Sequence, residues 1–280
     1  MKKHKPITPG RRGMTRVSYK AKVTTSKPLK SLTRGSKRAV GRNSAGRITT
    51  RHKGGGHKRR WREIDFKYDK MGIPAKIETI EYDPNRTAYI GLALYADGER
   101  RYVVIPKSVE AGHEFLIAED APVKTAGRLP LGKIPIGTFV YNLEIKPGGG
   151  AKLVRSAGNY AEVIAHDAGY TQIKMPSSEV RKILSTAWAC VGEVSNDEHK
   201  LVTIGKAGRA RHMGRRPTVR GAAMNAVDHP HGGGEGKAGR GHRRARSKWG
   251  KPTGKGQKTR KAKKYSNTLI VRRRKVGKKR

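Results

Sequence analysis

The strongest constraint on this chain is the uneven distribution of charge along its sequence. Residues 1–60 contain 20 lysines and arginines and no acidic residue, and residues 201–280 contain 26 against two acidic residues. Residues 61–200, by contrast, contain 18 basic and 19 acidic residues and are almost neutral. Like charges at such density repel one another, so the two basic arms need a polyanion to neutralise them. The formal net charge of +43 therefore indicates nucleic acid as the partner.

Other classes of protein fit the sequence poorly. No stretch approaches the roughly 20 apolar residues that span a bilayer, and the basic start of the chain is not followed by the apolar region of a signal peptide. The basic runs do not alternate with large apolar residues as a membrane-surface helix would. A lone cysteine, Cys190, excludes an internal disulfide and a multi-cysteine zinc site. We expect Cys190 to be a buried packing residue in a reducing compartment.

The neutral middle of the chain predicts short β-strands that form two small barrels or sandwiches. Runs rich in β-branched and aromatic residues, separated by turn residues, predict a first set of strands at 75–82, 87–95, 101–105 and 114–118. After a linker predicted at residues 127–137, a second set is expected at 138–145, 151–155, 161–166, 170–175 and 187–194. Residues 177–184 are the exception to this β pattern, because they are predicted to form a short helix. Paired acids such as Glu78 with Glu81 and Asp197 with Glu198 are interpreted as solvated residues.

The basic arms lack the apolar residues that a core requires. Residues 237–264 contain only Ala238, Ala245, Trp249 and Ala262 as apolar residues among 28. That content cannot offset an ordering cost of about 1–2 kcal/mol per residue. We therefore expect the arms to be disordered alone and to become ordered on RNA.

A glycine-rich basic loop in the first arm is the clearest candidate binding element. Glycine lets the backbone approach a phosphate closely, while lysine and arginine neutralise it. A flexible linker is the alternative, and the missing Gly-Lys-Ser/Thr after a strand argues against a nucleotide-binding loop of the Walker type. The candidate residues are Arg51, His52, Lys53, Gly54, Gly55, Gly56, His57, Lys58, Arg59 and Arg60.

Two further arginines and a histidine-containing segment complete the candidates. Arg86 and Arg155, predicted at strand edges, could bind phosphate, stack on a base or simply be solvated. Asp228, His229 and His231 could bind a metal or supply a general base, but no further carboxylates lie nearby, and an RNA-contacting loop is the simpler hypothesis. An acid beside His229 favours its charged form. The other predicted RNA-binding residues are Arg216, Arg220, Lys237, Arg240, Arg243, Arg272, Arg273 and Arg274.

Several stretches resemble one family, large-subunit ribosomal protein two in its bacterial or organellar form. They occur in one order from end to end, at residues 5–12, 46–59, 83–86, 96–98, 155–158, 192–194, 205–208, 216–221, 227–236 and 271–274. The resemblance implies an all-β fold, with an OB-fold barrel at 61–125 and an SH3-like barrel at 126–200. A basic N-terminal arm at 1–60 and a glycine-rich C-terminal extension at 201–280 flank the barrels. The resemblance also implies RNA contacts at Arg86 and Arg155 and a functionally important histidine at His229.

The implied function is that of a structural constituent of the large ribosomal subunit, not an enzyme. The resemblance places such a protein on ribosomal RNA near the peptidyl-transferase centre, supporting assembly, subunit association, tRNA binding and peptide-bond formation. Expected partners are the RNA, neighbouring ribosomal proteins, the small subunit and, indirectly, tRNA, but no membrane. We expect no cofactor and no protein-bound metal, apart from Mg²⁺ carried by the RNA. A cytoplasmic ribosome is expected, with an organellar one left open.

Two rival functions come from other classes. A DNA-compacting protein would share the basic arms but would not need two β-barrels with a neutral surface, and preference for random duplex DNA over ribosomal RNA would identify it. An RNA-processing hydrolase would need a fuller set of carboxylates or a nucleophile with its base. Cleavage of labelled RNA in the presence of a metal ion would identify that activity.

Overall fold

The computed structural model describes residues 1–35, 38–254, 257 and 259–274, and strands dominate it. In chain order, the strands are β1 Lys2–Lys3, β2 Thr15–Arg16, β3 Thr33–Gly35, β4 Arg60–Arg62, β5 Ala75–Glu81, β6 Ile90–Tyr95, β7 Arg100–Val104, β8 Glu114–Phe115, β9 Arg128–Pro130, β10 Phe139–Tyr141, β11 Ala161–Asp167, β12 Tyr170–Lys174, β13 Val180–Leu184, β14 Trp188–Val191 and β15 Ile270–Arg272. The α-helices are α1 Pro9–Arg12 and α2 Ala207–His212, and the 3₁₀ turns are Tyr19–Ala21, Leu131–Lys133, Asp197–Leu201, Gly221–Ala223 and Tyr265–Asn267. Residues 275–280 of the predicted C-terminal extension lie outside the described residues.

The first large sheet has the strand order β7-β6-β5-β8, and all of its pairings are antiparallel. The predicted Asp-Gly turn joins β6 to β7, with Gly98 at a φ of +84° that favours glycine. A bulge between Ile77 and Thr79 shifts the register of β5 against β6. All four predicted strands of this set are present, although β6 begins at Ile90 rather than at residue 87 and β8 ends at Phe115 rather than at residue 118.

The second large sheet corrects three predictions. Its order is β15-β13-β12-β11-β10-β14-β9. The predicted helix at 177–184 is wrong, because β13 pairs with β12 over five residues and so satisfies backbone groups that a two-turn helix would leave open. The predicted linker at 127–137 contains β9 and a 3₁₀ turn, and its Leu129, Leu131 and Ile134 are buried. The predicted strand at 151–155 is reduced to a single bridge between Leu143 and Leu153.

The end of the C-terminal extension adds a strand to this sheet. In β15, Ile270 pairs with Arg181, and Arg272 pairs with Val180. A basic segment thereby covers the edge of a strand that would otherwise expose unpaired backbone groups. No local sequence pattern predicts this pairing, since the two segments lie about 90 residues apart.

The two sheets share a continuous apolar core. Ile77 and Val103 from the first sheet belong to the same buried cluster as Leu129, Val140 and Ile173 from the second. The fold is thus all-β, with an OB-like barrel followed by an SH3-like barrel, as predicted.

An ion pair is buried within this core. Both side chains of the pair are at most 3% exposed, and Arg128 Nη2 donates to Glu144 Oε1 at 2.9 Å. Arg128 also donates to the Asn142 carbonyl oxygen at 2.9 Å and lies 4.4 Å from the centre of the Tyr68 ring. Cys190 is buried beside it, as predicted, and burial raises the pKa of its thiol.

The interpretation of the paired acids as solvated fails for Glu81. Its residue is only 3% exposed, and both carboxylate oxygens accept hydrogen bonds from the Tyr102 hydroxyl, at 3.0 and 2.9 Å. Burial raises the pKa of Glu81. Glu78 and Asp197 are partly exposed and Glu198 is exposed, as the interpretation requires.

The chain divides into two compact units, and the predicted boundaries at residues 60, 125 and 200 stay predictions. The first unit comprises residues 1–37, 58–206 and 268–280, and the second comprises residues 38–57 and 207–267. Parts of both arms therefore belong to each unit. The expectation that the arms order only on RNA stays a prediction. Among the described residues, no helix is long and apolar enough to cross a membrane.

The buried ion pair makes a testable prediction about stability. Glu144→Ala should lower the free energy of unfolding by about 3–5 kcal/mol, because it leaves the Arg128 charge buried without its partner. Glu162→Ala, which breaks the exposed pair with Lys174 at 2.8 Å, should cost less than about 1 kcal/mol. Urea unfolding of the full chain followed by circular dichroism measures both, and equal losses would contradict this assignment.

Candidate nucleic-acid interface

Arg86 and Arg155 lie on the same aromatic ring. The guanidinium carbon of Arg155 is 4.4 Å from the centre of the Phe66 ring, and that of Arg86 is 5.4 Å from it. These residues are 69 positions apart in sequence, and neither is adjacent to Phe66. The fold thus brings the two predicted arginines together through a residue that the sequence did not single out.

Polar contacts fix both arginines in place. Arg86 Nε donates to Asp83 Oδ2 at 2.6 Å, and the Asp83 side chain is fully buried. Arg155 Nη1 donates to the Ala151 carbonyl oxygen at 3.2 Å. These bonds leave further guanidinium N–H groups of each arginine available for phosphate oxygens, because a guanidinium carries five donors. Both guanidinium groups are therefore held in fixed positions, which is what a pre-organised anion-binding surface requires.

A third predicted residue, Arg60, is held at the same surface by a hydrogen bond to its backbone carbonyl oxygen. The Asn85 side-chain amide donates to the Arg60 carbonyl oxygen at 2.7 Å, and Asn85 directly precedes Arg86. Arg60 is exposed and opens β4. The structure therefore brings Arg60, Arg86 and Arg155 to one region of the first unit.

The glycine-rich loop is divided between the units. Residues 51–57 belong to the second unit and Lys58, Arg59 and Arg60 to the first. Within the second unit, the loop pairs with the segment that contains Arg216, whose backbone N–H donates to the His52 carbonyl oxygen at 3.1 Å. Arg51 lies 5.0 Å from the centre of the Trp249 ring. Residues 51–57 therefore make defined contacts within the second unit, and the choice between a phosphate-binding loop and a flexible linker stays a prediction.

The histidine segment forms a compact hydrogen-bonded loop. His229 Nδ1 accepts the backbone N–H of His231 at 3.0 Å, and their rings are 4.7 Å apart. His231 Nε2 accepts the backbone N–H of Arg246 at 2.9 Å. A Cβ at Gly221 would lie 2.5 Å from the His229 ring, so the backbone there must be glycine for the ring to pack.

These bonds identify the ring nitrogens that act as acceptors in the loop. A nitrogen that accepts a hydrogen bond carries no proton, so neutral His229 has its proton on Nε2. The expectation that Asp228 favours the charged form of His229 stays a prediction. The pKa of His231 is lowered, first by burial and then by the neighbouring His229 and Arg240. Within the described part of the chain, no group of three or more His, Cys, Asp or Glu residues could hold a metal ion.

The remaining predicted residues are exposed and are not gathered into one site. Arg272 lies in β15 at the sheet edge, and Arg273 and Arg274 follow it. The other exposed members of the predicted set are Arg216, Arg220, Asp228, Lys237, Arg240 and Arg243.

Comparison with known families identifies the family to which the chain belongs. A family model described as Ribosomal Proteins L2, RNA binding N-terminal domain, matches residues 29–117. A second, Ribosomal Proteins L2, C-terminal domain, matches residues 124–250. The chain belongs to the ribosomal protein L2 family. It is accordingly an RNA-binding protein of the large ribosomal subunit with a structural role in translation, and the family resemblance noted in the sequence is confirmed.

Sequence reasoning missed several residues of this candidate interface. Phe66 looks like an ordinary core residue, and only its spatial relation to two distant arginines distinguishes it. Arg38, whose Nη1 donates to the Gly55 carbonyl oxygen at 2.9 Å, is one of many arginines in its arm. Gly214 pairs with Gly54, with 3.1 Å between the Gly54 nitrogen and the Gly214 carbonyl oxygen. Side-chain chemistry alone identifies none of these three.

The shared ring makes a prediction about RNA affinity. Phe66→Leu should weaken binding to a large-subunit ribosomal RNA transcript by roughly threefold to tenfold, because each cation–π contact contributes about 0.5–1 kcal/mol. Phe139→Leu is the matched control, since Phe139 is 44% exposed and contacts the Tyr160 ring instead. Filter binding at fixed salt measures both dissociation constants, and equal effects of the two variants would refute a specific role for Phe66.

Proposed function

We propose that this protein binds large-subunit ribosomal RNA near the peptidyl-transferase centre and supports assembly, subunit association, tRNA binding and peptide-bond formation. The observation that carries the RNA-binding part is the charge distribution, with cationic arms on either side of a neutral body. The position near the centre rests on the family resemblance of residues 227–236. The predicted residue set, from the glycine-rich loop to Arg274, is the proposed contact surface.

In this proposal the two barrels dock through Arg86 and Arg155, while the arms neutralise phosphates of neighbouring RNA helices. Fixed arginines can orient the body on folded RNA, since their geometry matches phosphate oxygens. The arms can reach further than the body, because an extended chain spans about 3.3 Å per residue. Neutralising phosphates that face one another would remove a repulsion that opposes RNA folding.

We propose the remaining partners from the family resemblance as well. We include neighbouring ribosomal proteins, the small subunit across the subunit interface and, indirectly, tRNA. The protein itself is proposed to need no cofactor and to act in a cytoplasmic ribosome, with Mg²⁺ bound to the surrounding RNA.

A role for His229 outside the chemistry is also proposed. Because Nδ1 already accepts the His231 N–H, neutral His229 offers only an Nε2–H donor to its surroundings. A general base needs a free acceptor within reach of the proton that it removes. The ring is therefore better suited to donate to an RNA phosphate or base than to accept a proton from a reacting amine.

Salt dependence tests the RNA-binding role. Each neutralised phosphate contributes about −0.7 to −0.9 to the slope of log affinity against log salt concentration. If a quarter of the 46 arm cations contact phosphate, the slope should be about −8 to −10. Titration of a ribosomal RNA transcript at several salt concentrations gives this number. A slope shallower than about −3 would mean that the arms do not engage phosphates.

Single-turnover peptide transfer on reconstituted subunits tests the role of His229. His229→Gln should slow transfer by less than about tenfold, whereas loss of a general base typically costs about 10²–10⁴. His242→Gln is the control, because His242 Nε2 contacts the Pro230 carbonyl oxygen of the same loop at 3.1 Å. A loss of about a hundredfold or more for His229→Gln alone, at full occupancy and with unchanged RNA probing, would place His229 in the chemistry.

A further inference from the structure

The two arms are joined to each other by a backbone pairing that we call the arm clasp, residues 52–57 with residues 212–216. The Gly54 N–H donates to the Gly214 carbonyl oxygen at 3.1 Å, and the His57 N–H donates to the His212 carbonyl oxygen at 3.0 Å. Lys53 and Arg215 form an antiparallel bridge between them. The clasp thus joins segments about 160 residues apart in sequence.

Glycine is required at the centre of the clasp because the two chains approach closely. Gly56 has a φ of +86°, and a Cβ there would lie 2.7 Å from the His212 carbonyl oxygen and 2.8 Å from the Gly214 nitrogen. Both obstacles are backbone atoms, which cannot move aside as a flexible side chain can. Gly46 has a similar φ of +74° in the same arm, but a Cβ there meets nothing within 4 Å.

The clasp concentrates positive charge around unused backbone donors. Arg38, Lys53, Arg215 and Arg216 lie in or against it, and residues 38–57 and 207–216 contain no acidic residue. Among the described residues, the consecutive N–H groups of Gly55 and Gly56 have no hydrogen-bond partner. Successive backbone N–H groups in a turn can make an anion-binding concavity, and the surrounding cations favour an anion there.

We propose that the arm clasp is a composite phosphate-binding site for ribosomal RNA, which exists only when both arms are paired. The proposal rests on the RNA-binding function proposed above and specifies how the two arms share it. Pairing two cationic segments costs repulsion, and a phosphate bound between them offsets that cost. Clasp closure and RNA binding are therefore linked, and each strengthens the other by the same factor.

A reversible cross-link tests this linkage in the full chain. Lys53→Cys with Arg215→Cys places two thiols on directly opposed residues of an antiparallel bridge, and such residues have Cα separations that a disulfide spans. This variant loses two of the four clasp cations but keeps Arg38, Arg216 and the N–H groups of Gly55 and Gly56. Cys190 does not compete, because it is buried and the pKa of its thiol is raised. The control pair is Lys53→Cys with Val227→Cys. Val227 is 91% exposed, and among the described residues no backbone pairing joins it to residues 52–57. The thiol–disulfide equilibrium is measured in glutathione buffer with and without a large-subunit ribosomal RNA transcript.

We expect the RNA to shift the equilibrium of the 53/215 pair toward the disulfide by about tenfold, within the usual range of coupling between sites. Oxidation should then tighten RNA binding relative to the reduced form of the same protein by the same factor. The control pair should show neither effect. If RNA leaves the 53/215 equilibrium unchanged, or if oxidation weakens binding, the composite site is overturned.

A glycine pair separates clasp closure from direct RNA contact. In the 53/215 background, Gly56→Ala should reduce disulfide formation and RNA affinity together by about tenfold, whereas Gly46→Ala should change neither by more than about threefold. A loss of affinity for Gly56→Ala with unchanged disulfide formation would refute the role of the clasp. If the unsubstituted protein fails to bind RNA, the proposed function is refuted instead. Disulfide formation by the 53/215 pair without RNA would still show whether the two segments pair.

Discussion

Repulsion among the arm cations is the constraint on which the rest of the molecule depends. The body balances its own charge through local pairs, such as Arg100 with Glu78 and Lys107 with Asp197. With 19 acidic against 18 basic residues, the body has a single acidic residue in excess to set against the arms. Their charge therefore remains available for RNA phosphates, and the L2-family chain reaches electrostatic balance only inside a ribonucleoprotein. Because the body is almost neutral, we expect the barrels to fold without that partner.

The same contact, an arginine against an aromatic ring, serves two purposes that burial distinguishes. In the core, Arg128 contacts Tyr68 and is neutralised by Glu144, so its donors are used within the protein. At the surface, Arg155 contacts Phe66 and makes one described bond, to a carbonyl oxygen. The buried guanidinium of Arg128 therefore links neighbouring strands through its hydrogen bonds. The exposed guanidinium of Arg155 is held in place but is not neutralised, and it keeps N–H donors for a phosphate.

Glycine and histidine in the arms act through close backbone approach more than through flexibility. Gly56 and Gly221 lie where any Cβ would collide with a backbone oxygen or an imidazole ring. The nitrogens of His229 and His231 accept backbone N–H groups and so hold the loop shape. Segments whose composition suggests loose linkers thereby acquire defined geometry, although they bury little apolar surface.

The sequence by itself determined the properties that depend on local chemistry. Charge counting identified the arms and the nucleic-acid partner, turn residues such as Gly98 located hairpins, and Arg86 and Arg155 were recognised as candidates. The tertiary structure alone decided the relations between distant segments. These include the strand at 180–184 in place of a helix, the burial of Glu81, the Phe66 ring beneath two arginines and the pairing of residues 52–57 with 212–216. The physical reason is that periodicity and propensity report on neighbours along the chain, whereas burial and pairing depend on partners that the fold supplies.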